Sequence, residues 1–249
     1  MTLPMPADFC LRLGGGMSLL LLLTSWRAVP PAFFRTHCQI ILALFVVGAL
    51  DSFRAPEARL YFYGFIILSI CAYLATASWG LGLPRIGFPL TLGIALFSAA
   101  MSVGISRKPA AIAWGFDASD RLLSGFLMGS TLSAMLLGHH YLTAPSMTID
   151  PLRRYIRFMT VGLAARLVLA IAQLGAWMPS ETPKLGAFML FIRWGMGFGG
   201  PVLGTYLAWE TVKIRSTQSA TGILYIAMTL LLFGELTSMI LARGGGFAI

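Results

Sequence analysis

The chain has 249 residues, of which 57% are hydrophobic and 11% are charged. A soluble domain carries about 25% charged residues, so this composition excludes an ordinary soluble protein. The formal net charge is +9, but the Lys and Arg residues are scattered through short polar segments and form no stripe alternating with aromatic side chains. We therefore expect no nucleic-acid partner, because basic residues beside anionic lipid headgroups explain the charge more simply.

Apolar segments recur along the whole sequence. A helix needs about 20 mostly apolar residues to cross the ~30 Å hydrocarbon core of a bilayer. The sequence predicts an all-α polytopic integral membrane protein, a single bundle over residues 1–249 with about eight transmembrane helices and short loops. In chain order the predicted spans are Asp8–Trp26, Phe34–Phe53, Ala58–Leu81, Phe88–Ile105, Arg121–Leu142, Leu152–Trp177, Leu185–Trp209 and Thr217–Ala242.

The first two spans carry unusual residues near their starts. No basic segment precedes span 1, so we expect a retained span and not a signal peptide. Its glycines at 14–16 would let a helix or a flat ligand approach closely, and span 2 opens with His37. The three cysteines fall in separate apolar runs without a CxxC spacing, which indicates small buried side chains and no disulfide: Cys10, Cys38 and Cys71.

Two features surround span 5. We predict a polar loop over Ser106–Asp120 before it, the longest polar stretch of the chain. The span ends in the pair His139-His140, and a basic helix start follows. Its arginines are expected to face lipid headgroups: Arg153, Arg154 and Arg157.

The last three spans each carry a charged residue away from their ends: Arg166, Arg193 and Glu235. An ionised group in lipid costs at least ~2.5–3.5 kcal/mol, so each needs a partner. At 1.5 Å per residue, Arg193 and Glu235 lie roughly 12 Å and 10 Å from the same membrane face, which predicts an ion pair that Gln173 could join. Such a pair could fix the order of the helices or carry protons or a substrate.

Eight spans put both ends of the bundle at one face, side A, opposite side B. Our assignment gives eight Lys and Arg to each side, so the positive-inside rule does not decide the orientation. The cluster at 153–157 and the pair Lys213 and Arg215 favour a cytoplasmic side B. His37 and His139 both fall roughly 5 Å below side B. With His140 they could hold haem b, a quinone or a metal ion. Ordinary interfacial histidines are the alternative.

No Walker sequence, HExxH, GxSxG or EF-hand loop occurs, so we predict no catalytic residue and leave open whether the chain is an enzyme. Three functions compete. The first is an integral subunit of a larger membrane assembly for electron transport, holding haem b or a quinone. The others are a small proton-coupled transporter or channel, and a structural membrane scaffold. We expect the lipid bilayer and other membrane subunits as partners, in a cell membrane such as a bacterial inner membrane.

Overall fold

The computed structural model describes residues 3–105, 111–143, 147–176 and 184–243. Within those ranges every regular element is helical, so the predicted all-α fold is confirmed. A 3₁₀ turn at Pro56–Ala58 precedes the third helix, and a π-helix at Ile192–Gly199 joins the seventh to the eighth. The α-helices are α1 Met5–Leu22, α2 Pro31–Phe53, α3 Arg59–Gly80, α4 Pro84–Ile105, α5 Ala111–Thr143, α6 Asp150–Ala176, α7 Lys184–Phe191, α8 Gly200–Lys213 and α9 Thr217–Arg243.

Seven of the described helices are long and apolar enough to cross a membrane. The remaining predicted span, Leu185–Trp209, is helical but divided into α7, the π-helix and α8. Pro201 explains the division, because a proline has no N–H for the carbonyl one turn earlier and its ring crowds that carbonyl. Widening to a π-helix just before it relieves the crowding. The protein is thus a multi-pass membrane protein whose apolar helices contact lipid.

The direction of each helix follows from its contacts. Gly125 lies on the backbone of Arg12, and Gly129 lies on Gly16, so α1 and α5 run parallel. Successive helices from α1 to α4 run antiparallel, as the contact of Gly14 with Phe45 and the hydrogen bond from the Ala7 amide to Asp51 illustrate for α1 and α2. Three helices, α2, α3 and α4, lie between α1 and α5 in the sequence. Because each one reverses the direction of the chain, α5 points the same way as α1.

The second half of the chain follows the same alternation. Ser124 and Gly138 on α5 contact Glu235 and Thr221 on α9 in reversed order, so these helices are antiparallel. Counting α7, the π-helix and α8 as one pass, the described ranges run through the bundle eight times.

The start of α1 and the end of α9 meet at one face. The Arg243 guanidinium donates a 2.6 Å hydrogen bond to the carbonyl oxygen of Leu3. We call this end of the bundle side A and the opposite end side B, as in the sequence-based assignment. The ion network described below lies toward side A, and all three histidines lie toward side B.

One boundary differs from the prediction. The expected loop Ser106–Asp120 is helical from Ala111 onward, while residues 106–110 lie outside the described residues. The part from Ala111 to Asp120 contains no proline, and the carboxylate of Asp117 pairs with Arg121 one turn later at 3.3 Å. An i,i+4 pair of this kind stabilises a helix, so α5 extends well past its apolar part.

Glycines serve close helix packing, as predicted. A Cβ on Gly16 would run into the backbone of Gly125, where α1 crosses α5. In the π-helix, nothing lies within 4 Å of a Cβ built on Gly195, so this glycine does not pack against another helix. Gly197 packs instead, with its Cβ position 2.7 Å from the Cα of Gly234 on α9. Backbones therefore approach closely at two crossings.

Candidate functional site

A chain of buried ion pairs begins between α1 and α5. Arg12 donates from Nε to Asp8 at 3.2 Å and from Nη1 to Asp120 at 3.0 Å. Arg121 donates to Asp8 at 2.8 Å and to Asp117 at 3.3 Å. The Arg12 and Asp8 side chains are 4% and 5% exposed, so these pairs lie inside the bundle. These ion pairs stabilise the parallel crossing of α1 and α5, in addition to the close glycine contact.

The series of ion pairs continues onto α6. Arg166 on α6 donates from Nη1 to Asp120, the same carboxylate that accepts from Arg12. Its Nε and Nη2 donate to Glu235 on α9 at 3.3 and 3.4 Å, and Nη2 also donates to Ser238 at 3.2 Å. The Arg166, Asp120 and Glu235 side chains are all 0% exposed. Each nitrogen of this guanidinium is therefore satisfied without water.

Glu235 is the central acceptor on α9. Besides Arg166, its Oε1 accepts from Arg193 of the π-helix at 2.8 Å, and its Oε2 accepts from Ser124 of α5 at 2.5 Å. The Arg193 guanidinium also lies 4.2 Å from the centre of the Phe198 ring, in a cation–π contact. One carboxylate thus joins α5, α6, α9 and the π-helix.

Together these contacts form one continuous set, which we call the ion network. It comprises seven ion pairs between four carboxylates and four guanidiniums. A lone buried charge costs several kcal/mol, but here each charge has an opposite partner, so the network is neutral as a unit. In order of contact its members are Asp117, Arg121, Asp8, Arg12, Asp120, Arg166, Glu235 and Arg193.

The structure brings Arg193, Glu235 and Arg166 together. Depth had indicated a pair of Arg193 with Glu235, and Arg166 contacts the same carboxylate. Gln173 does not join them. Its amide nitrogen donates to the Phe116 carbonyl oxygen at 3.5 Å, and its own oxygen has no partner among the described residues.

Five of the eight members of the ion network were missing from the sequence prediction. Arg12 and Arg121 are two of the eight basic residues that the sequence assigns to side A, yet both point into the bundle and pair with Asp8. The available signal was the i,i+4 spacing of opposite charges, Asp8 with Arg12 and Asp117 with Arg121, which places each pair on one helical face. The partnership of α1 with α5 depends on tertiary packing and had no such signal.

The histidines converge at side B. The His37 ring lies 3.9 Å from the ring of Phe33, and the His140 ring lies 6.4 Å from the same ring. His139 is exposed, as expected for two neighbours that point about 100° apart on a helix. His37 and His140 are therefore the two that share one place in the fold.

The surroundings of His37 determine whether a cofactor fits between His37 and His140. Its Nδ1 lies 2.8 Å from the Phe33 carbonyl oxygen, while Nε2 has no hydrogen-bond partner among the described residues. The side chain is 0% exposed, so no water-sized space touches it. A haem macrocycle does not fit beside His37 in this conformation, and no cluster of three metal-ligating side chains occurs among the described residues.

The basic cluster lies at the start of α6, on side B. Arg153 pairs with Asp150 at 3.8 Å, whereas Arg154 and Arg157 are exposed. The latter two line a cavity of about 240 Å³ together with Thr24.

Comparison with protein-family models, with curated proteins and with solved structures finds no match. Function therefore has to be inferred from the geometry of this chain. Its most distinctive elements are the neutral ion network toward side A and the enclosed His37 toward side B.

Proposed function

We propose that the protein is a non-catalytic integral subunit of a larger membrane assembly, in which its bundle acts as a rigid scaffold. One observation carries this proposal. Gln39 on α2 is exposed on the outside of the bundle, and its side chain makes no hydrogen bond within the described part of the chain. Gln39 lies roughly 12 Å along the helix from Pro31, well below side B.

An unpaired amide facing hydrocarbon is unfavourable. Moving such a group from water to an apolar medium costs roughly 2–7 kcal/mol unless a hydrogen bond compensates. Glutamine side chains in membrane helices therefore commonly hydrogen-bond to a neighbouring helix. Tyr73 on α3 is 62% exposed and lies at the same level as Gln39, roughly 10 Å from the side-B end of its helix. These two residues define the α2–α3 surface, where we place the partner helix.

The ion network supports a scaffold role. All eight of its charges are matched by opposite charges within the chain, so no carboxylate in it is left over to bind a substrate. Pairs of this kind are strongly destabilising when one partner is removed. They therefore resist rearrangement, which suits a fixed support better than a carrier that alternates between two states.

The assembly proposal predicts the size of the extracted particle. Mild-detergent extraction from native membranes should yield a complex larger than the 26.9 kDa chain plus detergent. Replacing Gln39 with leucine should release the chain from it, while Gln39→Asn, which keeps the amide, should retain it. Val168→Leu on the lipid-facing side of α6, 67% exposed, is the control. Extraction of a lone chain, or a Gln39→Leu complex of unchanged size, would contradict the proposal.

Among membrane assemblies, the histidines favour an electron-transport complex. The observation behind it is the buried His37 Nε2 without a hydrogen-bond partner among the described residues. A macrocycle does not fit beside His37 as it is enclosed here, so haem binding requires the side chains around His37 to rearrange. The visible spectrum of the purified complex tests it. A Soret band that disappears in His37→Ala supports a haem, whereas a featureless spectrum removes electron transport and leaves the scaffold.

A proton-coupled transporter is the second candidate, favoured by the π-helix that presents Arg193 to Glu235. π-helical turns are frequent at functional sites. Proton flux into reconstituted vesicles provides the test, using Ser124→Ala, which removes one hydrogen bond to Glu235 and keeps every charge. Flux that changes severalfold in this variant favours transport, and an absence of flux in the wild type excludes it.

A further inference from the structure

A second feature on side B is independent of the ion network and the α2–α3 surface. A groove of about 640 Å³ opens between α6 and α8, a size typical of ligand sites. Val161 on α6 and Tyr206 on α8 line it and are 62% and 60% exposed, so it faces the lipid.

The wall of the groove is apolar. Thr160 and Thr205 line it, but both hydroxyls donate to carbonyl oxygens of their own helices, at 3.0 and 2.7 Å. The groove runs from Arg157 to Leu167, roughly 15 Å along α6, which is half of the ~30 Å hydrocarbon core. Its length and chemistry therefore match one acyl chain of a single leaflet.

Arg157 connects this groove to a polar space. The same residue lines the cavity of about 240 Å³ at the side-B surface, together with Arg154 and the hydroxyl residues Thr24 and Ser25. Asp150 also lines that cavity, but it pairs with Arg153 at 3.8 Å. The polar cavity is thus cationic overall and continuous through one side chain with an apolar groove.

We infer that this pair of cavities is a binding site for an anionic phospholipid. The phosphate lies against Arg157 and Arg154, and one acyl chain occupies the α6–α8 groove. Trp209 at the side-B end of the groove lies where an aromatic side chain meets the headgroup level. A zwitterionic lipid offers the same acyl chain but no net negative charge to the two arginines. The site therefore selects for the headgroup.

Lipid titration of the delipidated full chain in detergent, followed by native mass spectrometry, tests this inference. Phosphatidylglycerol should bind more tightly than phosphatidylcholine of identical acyl chains. Two arginines near the surface correspond to a preference of about thirtyfold. Arg157→Gln should weaken phosphatidylglycerol binding about fivefold and leave phosphatidylcholine binding unchanged.

Three further variants distinguish binding in the groove from nonspecific attraction of anionic lipid to surface arginines. Ala164→Trp fills the groove and should reduce binding of both lipids, with Val161→Trp as a second filling variant if the first unfolds. Arg85→Gln removes an exposed arginine at the start of α4, away from both cavities, and should have no effect. Equal affinity for the two lipids would overturn the inference. So would an equal loss in Arg85→Gln and Arg157→Gln, or unchanged binding in a folded groove-filling variant.

Discussion

Replacing Glu235 with glutamine perturbs the ion network at its most connected point. The substitution keeps the shape of the side chain and removes its charge, so Arg166 and Arg193 lose their shared carboxylate. Arg166 still contacts Asp120. The network then holds four guanidiniums and three carboxylates, and one positive charge is left uncompensated inside the bundle.

The size of the effect follows from burial. Glu235, Arg166 and Arg193 side chains are all 0% exposed, so solvent does not screen the imbalance. Removing one partner of a buried pair costs about 3–5 kcal/mol. At roughly 2–4 °C per kcal/mol for a chain of this size, we expect the unfolding midpoint to fall by about 6–20 °C.

Thermal unfolding in a fixed detergent, followed by far-ultraviolet circular dichroism, is the assay. The matched control is Glu210→Gln on α8, because Glu210 pairs with Lys213 at 2.6 Å but the side chains are 41% and 52% exposed. An exposed pair contributes at most about 1 kcal/mol, so this variant should unfold close to the wild type.

The double variant Glu235→Gln with Arg193→Leu decides between charge imbalance and simple loss of hydrogen bonds. It removes one charge of each sign, and the network is neutral again. It should therefore recover at least half of the stability lost in Glu235→Gln, although it also loses the contact with Phe198. A double variant that is less stable than Glu235→Gln would refute the reasoning from charge balance.

Two further predictions concern packing and hydrogen bonding. Gly16→Ala should destabilise the bundle by about 1–3 kcal/mol, because its Cβ meets the backbone of Gly125. Gly93→Ala, with nothing within 4 Å, should leave stability unchanged or raise it by up to about 1 kcal/mol; equal unfolding midpoints for the two variants would contradict this. Tyr155→Phe removes a 2.6 Å hydroxyl contact with Thr24 and should cost about 1 kcal/mol, and a midpoint equal to the wild type would show that the contact contributes nothing.

Depth along a helix was the part of the site that the sequence could predict. Residue position and the 1.5 Å rise placed Arg193 near Glu235, and His37 near the level of His139, before any contact was known. This succeeded because alternating passes convert sequence number into distance from a membrane face. The same rule says nothing about which helices are neighbours.

The five members of the ion network that the sequence did not predict illustrate that limit. Asp120 reaches Arg12 only because α1 and α5 approach closely through their glycines. The residues on the buried face of a helix do not show, in the sequence, which other helix they contact. Hydropathy also failed at the start of α5, where Asp117 and Asp120 read as loop residues although both are helical and oriented toward arginines. Enclosure of His37 by Phe33 likewise depends on side-chain packing that composition does not encode.

Accessibility of single cysteines in closed membrane vesicles tests the eight-pass arrangement most directly. The natural Cys10, Cys38 and Cys71 would be replaced first, and one cysteine introduced at exposed Ser25, Arg54 or Ile214. With eight passes, positions 25 and 214 react with an impermeant reagent from one face, and position 54 reacts from the other. Labelling of 214 from the same face as 54 would contradict it, because the α7–π–α8 segment would then not cross.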